Sequence, residues 1–305
     1  MLNQLRDLDL QLLRLFVRVA ECGGFSAAQG DLGIGQSTIS TQMAKLETRL
    51  GFRLCERGKA GFRLTAKGEQ VLQATYRLLQ AIDIFKGEAQ GMADKLLGEL
   101  RIGLSEALDN QILERVGAAI GRFRQRNQAV RIELISAMPA ELERRLLQDQ
   151  LHLAIGYFSG NQTALDNQPL FSEQQVLYCA SGHPLFRLAR ITRDDLAGSD
   201  LVYHPYRFVT DLQPLQTRHS SSYCEQVEGC LALILSGAHI GYLPVHCAAP
   251  WVASGRLRAL LPDTLGFSVQ FHLTQHRGRH PGDAQRAFVE DLQTAFASTT
   301  AAAAE

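Results

Sequence analysis

Between positions 35 and 51 the chain reads GQSTISTQMAKLETRLG. Ile39, Met43, Leu46 and Leu50 recur at helical spacing and mark a core-facing stripe. Ser37, Thr38, Thr41, Gln42 and Lys45 fall on the other side, small or polar and free to face solvent or a groove. A glutamine amide pairs bidentately with adenine, and hydroxyls contact bases or phosphates or pack a methyl against thymine. Gln36, Ser37, Ser40 and Thr41 are therefore candidates for base contact. From Lys45 to Lys67 the bases Lys45, Arg49, Arg53, Arg57, Lys59, Arg63 and Lys67 stand against only Glu47 and Glu56. On a chain of zero formal net charge this is a local basic footprint, and Arg53, Lys59 and Arg63 suit phosphates or a narrow minor groove.

Other chemistry is sparse. His272, His276 and His280 have a four-residue spacing that could bind metal on a helix, but the first falls in an apparent strand and the others in a loop with Gly and Pro. There is no GxSxG, P-loop, HExxH, or GxGxxG after a strand, so the reading is not an enzyme, and neither a cofactor nor a metal is expected. A metal-dependent enzyme and a solute-binding protein are the alternatives. The six cysteines, Cys22, Cys55, Cys179, Cys224, Cys230 and Cys247, form no CxxC and no cluster. They read as buried reduced thiols, with Cys224 and Cys230 the one pair suited to a redox switch.

The elements that would carry the reading helix follow from periodicity. Leu12, Leu13, Phe16, Val17 and Ala20 form a helical stripe ending at Gly23-Gly24, and Ser26 is placed to cap a short helix to about Leu32. Gly33, Ile34 and Gly35 make the break before the third helix, an outline of helix-turn-helix. FRLCERGKAGFRLT then reads as a two-stranded wing around Gly58-Lys59-Ala60-Gly61. From Ala66 to about Met92 a long helix carries Val71, Thr75, Leu78, Ile82 and Phe85 at seam spacing, which calls for a partner, most simply a second copy.

Beyond Gly98 the texture becomes alternating strand and helix: strands at 100–104, 130–136 and 151–157, helices over Ile112–Phe123 and from Pro139, hence βαβαβ with a parallel sheet. A second such unit is expected from QQVLYCA, DLVYH, VEGCLALILSG and HIGYLP, with a last strand FSVQFHLTQ and a last helix from Ala284 to Phe296. Ligands of such folds sit at the carboxyl ends of strands, here near 104–109, 136–139 and 203–208. At 305 residues with 46% hydrophobic and 20% charged, the chain is long enough for two or three domains and unlike a disordered one. Its start, MLNQLRDLDLQLLRLF, interrupts apolar residues with charges, so neither signal peptide nor membrane span is expected and the cytoplasm is the expected location.

The N-terminal residues resemble the LysR-type transcriptional regulators. The family's signature is matched by Ala27-Ala28, Leu32, Gln36-Ser37, Ile39-Ser40, Leu46-Glu47, Leu50-Gly51, Leu54-Cys55-Glu56-Arg57 and Leu64-Thr65-Ala66-Lys67-Gly68. Cys55 stands where the family has phenylalanine, and Gly30 and Gly35 add flexibility near the turn. LRIG, LAIG, GHPL and LILSGAHIGYLP look like the family's effector domain, so the resemblance covers essentially the whole chain. It implies an α/β chain: a winged helix-turn-helix over 1–65, a linker and dimerisation helix over 66–92, and a periplasmic-binding-protein-like (type 2) effector domain over 93–305. The effector domain would have one subdomain at about 98–164 and 267–297 and another at about 168–262, with crossings near 163–169 and 262–267.

By the same resemblance the partners are double-stranded DNA bearing an interrupted inverted repeat, a small-molecule effector, the chain itself as dimer or tetramer, and RNA polymerase; no membrane is involved. The family often holds a carboxylate with hydroxyls at two positions that are Ala107 and Pro139 here, so the usual ligand chemistry is altered. Ser105 and Ser136 remain beside them, and Tyr203, His204 and Arg207 offer a phenol, an imidazole and a guanidinium. His152 replaces the family's usual aspartate, with no functional role assigned to it.

Overall fold

A helix forms where apolar residues recur every three or four positions, and the chain begins with three of them. In a computed structural model describing residues 6–58, 61–91, 95–158, 160, 162–202, 221–279 and 281–297, they are α1 (Asp7–Glu21), α2 (Ala28–Leu32) and α3 (Gln36–Leu50). Leu12, Phe16, Val19, Ile39, Met43 and Leu46 meet in one core with Phe25, Ala28 and Leu54. Ser26 is not the cap of α2: Ala27 holds that place in helical conformation with no side-chain cap. Gly33 takes φ of 64°, where a side chain is strained, and its N–H reaches the carbonyl of Gln29 at 2.9 Å, turning the chain between helices.

The wing is a hairpin of β1 (Cys55–Gly58) and β2 (Gly61–Leu64), in the register Cys55↔Leu64, Glu56↔Arg63. Helix α4 (Ala66–Gly91) follows. Its first turns bury Leu72, Thr75 and Tyr76 in the core of α1–α3, and the Tyr76 hydroxyl donates to Glu21 at 3.0 Å. The seam residue Thr75 is thus spent inside the N-terminal unit, whereas Phe85 further along stands 68% exposed.

The chain divides into two compact units, one built on Met1–Ala89 and the other on Gln90–Leu147 with Leu151–Glu305. In the second, β3 (Leu96–Leu104), β4 (Gln128–Ser136) and β5 (Leu153–Gly156) are joined by α5 (Asn110–Gln125) and α6 (Pro139–Leu147). Both pairings of β3 are parallel, the expected βαβαβ. The second half departs from a repeat of that unit. The long strand β6 (Leu165–Ala180) lies antiparallel to β8 (His239–Pro244) and β9 (Leu257–Leu260), and only the short β7 (Asp200–Leu201) is parallel to β8. β6 also pairs along ten residues of β10 (Phe267–His276), whose other edge holds β5, so one sheet of order β4-β3-β5-β10-β6-β8-β7 runs through both halves. Helix α7 (Val227–Leu235), α8 (Val245–Ala253), a short α9 (Pro262–Leu265) and α10 (Asp283–Ala297) complete the unit. The strand β9 and helix α9 have no counterpart in the sequence reading, being four residues each and too short for a periodic signal.

His152 is structural, as its lack of an assigned role suggested, and one other feature replaces a sequence expectation. The His152 Nδ1 accepts the Arg101 N–H at 2.9 Å, and burial holds its pKa down at about 3, so the ring stays neutral. Cys224 and Cys230 are not free thiols but a disulfide, because one turn leading into α7 brings their Cα atoms to 5.7 Å. The protein purified without reductant and alkylated after denaturation is expected to be modified at four cysteines, Cys22, Cys55, Cys179 and Cys247. Mass spectrometry showing six modified thiols would remove the bond.

Candidate DNA-reading surface and sensor cleft

The N-terminus of a helix leaves backbone N–H groups unpaired, and at α3 one of them is met across the turn: Gln36 N–H donates to the Gln29 side chain at 3.2 Å. This ties α2 to α3 and orients the helix start. Gln36, Ser37, Thr38 and Thr41 are exposed and Ser40 is half-buried, while Ile39, Met43 and Leu46 have no exposed surface. The two faces anticipated from sequence are therefore distinct. Thr41 Oγ1 donates back to the Ser37 carbonyl at 2.9 Å, which leaves the oxygen lone pairs as acceptors on the exposed face.

Most of the signature residues hold this surface rather than form it. Glu47 accepts the Leu54 N–H at 2.7 Å and the Cys55 N–H at 3.3 Å, pinning the start of the wing to α3. Thr65 Oγ1 accepts the Gly68 N–H at 2.9 Å and caps α4. Gly68 lies so close to the wing that a Cβ on it would sit 1.9 Å from the Leu54 carbonyl oxygen. Arg49 leaves the basic footprint: it is ion-paired with Asp9, a fully buried carboxylate that accepts from Arg49 Nη2 at 2.6 Å and from Arg6 N–H at 2.9 Å. Those partners, the Arg49 hydrogen bond first, hold the Asp9 pKa down. Lys45, Arg53, Arg63 and Lys67 remain exposed, Arg63 across the hairpin from Glu56. Lys59 lies outside the described residues, and the Arg57 side chain is not described.

The second surface lies where β3 and β4 end. Ser105 follows β3 and Ser136 ends the neighbouring β4, where Leu104 is the register partner of Ser136. They differ in setting: Ser105 is 3% exposed with no hydrogen-bond partner for its Oγ among the described residues, whereas Ser136 faces solvent. Pro139 is buried at the first position of α6. Ala107 takes φ of 51°, a strained conformation for a residue with a Cβ, and its carbonyl accepts from His246 Nε2 at 3.0 Å. That bond joins the β3–α5 loop to α8. Tyr203, His204 and Arg207 lie outside the described residues.

Around the same loop the structure gathers groups that sequence reasoning missed. His246 Nδ1 lies 3.7 Å from Asp109 Oδ2 and 3.6 Å from Glu173 Oε2. Glu173 on β6 is buried and accepts from Gln175 Nε2 at 2.7 Å. Burial, then the nearby Asp109 charge, raises its pKa to about 8. Burial, then Glu228 and Glu225, raises that of Glu106 to about 7. Cys247, its Sγ 3.2 Å from His246 Nε2, is pushed up to about 12 by burial and then by Glu173, Glu228 and Asp109, which makes it no nucleophile at neutral pH. No local pattern marks these residues, which come from four separated stretches. The histidines read as metal candidates are apart from this site: His272 and His276 lie on β10, not a helix, and His280 is outside the described residues.

An exposed polar helix face on a winged helix-turn-helix, and a cluster of polar groups at strand ends in a separate α/β unit, are the parts of a DNA-binding regulator with a sensor domain. The chain belongs to the LysR family of transcriptional regulators: residues 10–69 match the bacterial regulatory helix-turn-helix of the lysR family, and residues 93–297 match the LysR substrate binding domain. It is a regulator, not an enzyme. The HTH-type transcriptional activator BauR of Pseudomonas aeruginosa is 38% identical over 292 residues, covering 95% of this chain and 96% of that protein. Among solved structures, a full-length OxyR variant from Pseudomonas aeruginosa superposes with a TM-score of 0.67 at 19% identity, covering 96% of this chain and 95% of that one. Full-length CbnR complexed with its target DNA gives 0.59 at 20% identity, with 94% and 99% covered. These two show the shared fold. Among the described residues no helix is long and apolar enough to cross a membrane.

Proposed function

We propose that this regulator reads an interrupted inverted repeat as a homo-oligomer, placing α3 in the major groove of each half-site. Gln36, Ser37, Ser40 and Thr41 contact bases, and Arg53, Lys59 and Arg63 hold phosphates or the minor groove. The observation that carries this reading is the division of α3 into a fully buried apolar face and an exposed polar one. The boundaries are those of the family resemblance, 1–65, 66–92 and 93–305, and the exposed Phe85 supports pairing of copies through α4. A small molecule in the cleft near Ser105 and Ala107 biases the arrangement of subunits and hence DNA bending and contact with RNA polymerase.

The double variant Gln36→Ala, Ser40→Ala tests the reading head. Two lost base contacts, at roughly 1–3 kcal/mol each, are expected to weaken binding to the chain's own promoter by about a hundredfold in DNase footprinting. Fluorescence of Trp251, the single tryptophan, reports that the C-terminal unit is still folded. A footprint unchanged from the parent protein removes α3 as the reading helix.

A further inference from the structure

We propose that the sensor cleft takes a ligand bearing a protonated amine, held by Glu106, Glu173 and Asp109 with Ser105 and Gln175 as neutral acceptors. The proposal rests on the reading of the C-terminal unit as an effector domain and assigns the charge of what that domain binds. Three observations converge on it. First, the loop after β3 and the middle of β6 gather carboxylates at His246: Asp109 at 3.7 Å, Glu173 at 3.6 Å, and Glu106 as the immediate neighbour of Ala107, whose carbonyl the imidazole bonds. Glu225 and Glu228, exposed at the start of α7, add negative charge from the facing side, as their effect on Glu106 shows.

Second, among the described residues no lysine or arginine is paired with Glu106, Asp109 or Glu173. Among the described residues neither Glu106 nor Glu173 has such a partner within ion-pair distance, and the only base near them is His246. The imidazole proton on Nε2 is committed to Ala107, and Nδ1 stands beyond hydrogen-bond distance of both carboxylates. Tyr157 and Cys247, the other ionisable groups feeling these charges, are both pushed up and stay neutral at pH 7.

Third, the unpaired polar atoms at the site are acceptors. Gln175 has no exposed surface, its Nε2 is bonded to Glu173, and Oε1 of that same carboxamide has no partner among the described residues. Glu106 Oε1 and the Ser105 hydroxyl are likewise buried and unpartnered. Ser105 packs beside Gly156, next to the Tyr157 ring that feels Glu106 and Glu173. Leaving buried acceptors unmet is costly, and an ammonium group has three donors and no acceptor. A carboxylate would face acceptors of its own charge.

Cation binding also implies proton release. At pH 7 Glu173 is largely protonated in the free protein, and an ammonium beside it favours the carboxylate, so affinity rises from pH 6 towards 8.5. The charged and titratable groups that surround Glu173 are Glu106, Asp109, Glu228, His246, Cys247 and Tyr157.

The test uses the full-length protein at pH 8, its unfolding followed by Trp251 fluorescence. The amine probes are n-butylamine, 1,4-diaminobutane and 4-aminobutyrate; the controls are butyrate and succinate at equal ionic strength. At least one amine probe is expected to raise the unfolding midpoint saturably, with an apparent Kd weakened about tenfold or more by E173Q, and the controls to do nothing. Calorimetry in buffers of different ionisation enthalpy is expected to show proton release in the parent protein that E173Q loses. A shift with the carboxylate controls alone overturns the amine and leaves the effector domain standing. An amine shift unaffected by E173Q, or no shift with any amine, overturns the proposal outright. Footprinting of the promoter is independent of all these outcomes and separates them from a failure of the DNA-binding reading.

Discussion

Replacing Gly68 with alanine is expected to unfold the DNA-reading unit while leaving the C-terminal unit intact. The added methyl would lie 1.9 Å from the Leu54 carbonyl oxygen, 2.9 Å from its carbon and 3.2 Å from the Leu54 Cα. These are backbone atoms, so no rotamer change relieves the clash, and the first turn of α4 has to move off the wing. That movement breaks the Thr65 N–H to Leu54 carbonyl bond of 3.0 Å and opens the core closed by Leu72 and Tyr76. Overpacking of side chains commonly costs about 1–3 kcal/mol. A collision with immovable backbone belongs at or above the top of that range. Hydrogen exchange is expected to lose protection across residues 6–58, with Trp251 fluorescence unchanged because that residue belongs to the other unit. Parental protection in this segment would refute the account.

Glu173→Gln is expected to stabilise the ligand-free C-terminal unit at alkaline pH. A carboxyl group whose folded pKa of about 8 exceeds its ordinary 4.5 binds its proton more tightly in the native state. Its contribution is complete below pH 4.5 and is lost progressively as the pH rises to 8. At about 1.4 kcal/mol per pH unit, the parent protein loses on the order of 3 kcal/mol from this group between roughly pH 5.5 and 8. A glutamine amide cannot ionise and keeps the contact with Gln175, so the variant lacks that slope. His152 acts in the opposite sense: its lowered pKa removes stability as the pH falls from 6.5. Because both chains carry it, the difference between their urea midpoints, read by Trp251 at each pH, isolates Glu173. Parallel profiles would show that Glu173 ionises normally. A charge that costs stability in the free protein and gains a partner on binding is the expected sign of a functional carboxylate.

The helix-turn-helix and its wing were legible from sequence because their determinants are local. Ile39, Met43 and Leu46 form a periodic stripe within one helix, and Gly33 and the wing stand within a few residues of it. What escaped were long-range commitments inside the same unit. Arg49 is taken out of the basic surface by Asp9, forty positions earlier. Gln29 anchors α3 from seven positions away, and Glu47 serves the wing rather than the helix surface.

In the C-terminal unit the alternation of strands and helices announced an α/β fold, but the pairing within it did not follow from alternation. The second half is not a repeat of the first, because β6 and β10 run through both halves and turn β8 antiparallel to β6. That same topology decides the sensor site. Ser105, Glu106 and Asp109 come from one strand end, Glu173 and Gln175 from the middle of β6, and His246 from α8, more than sixty positions apart from group to group. Periodicity acts over a few residues, so sequence alone determined most of the helices, the wing and the division of α3 into an apolar and a polar face. The carboxylate cluster depends on strand order and on burial, which exist only once the chain has folded, and so the tertiary structure alone decided the charge of the cleft.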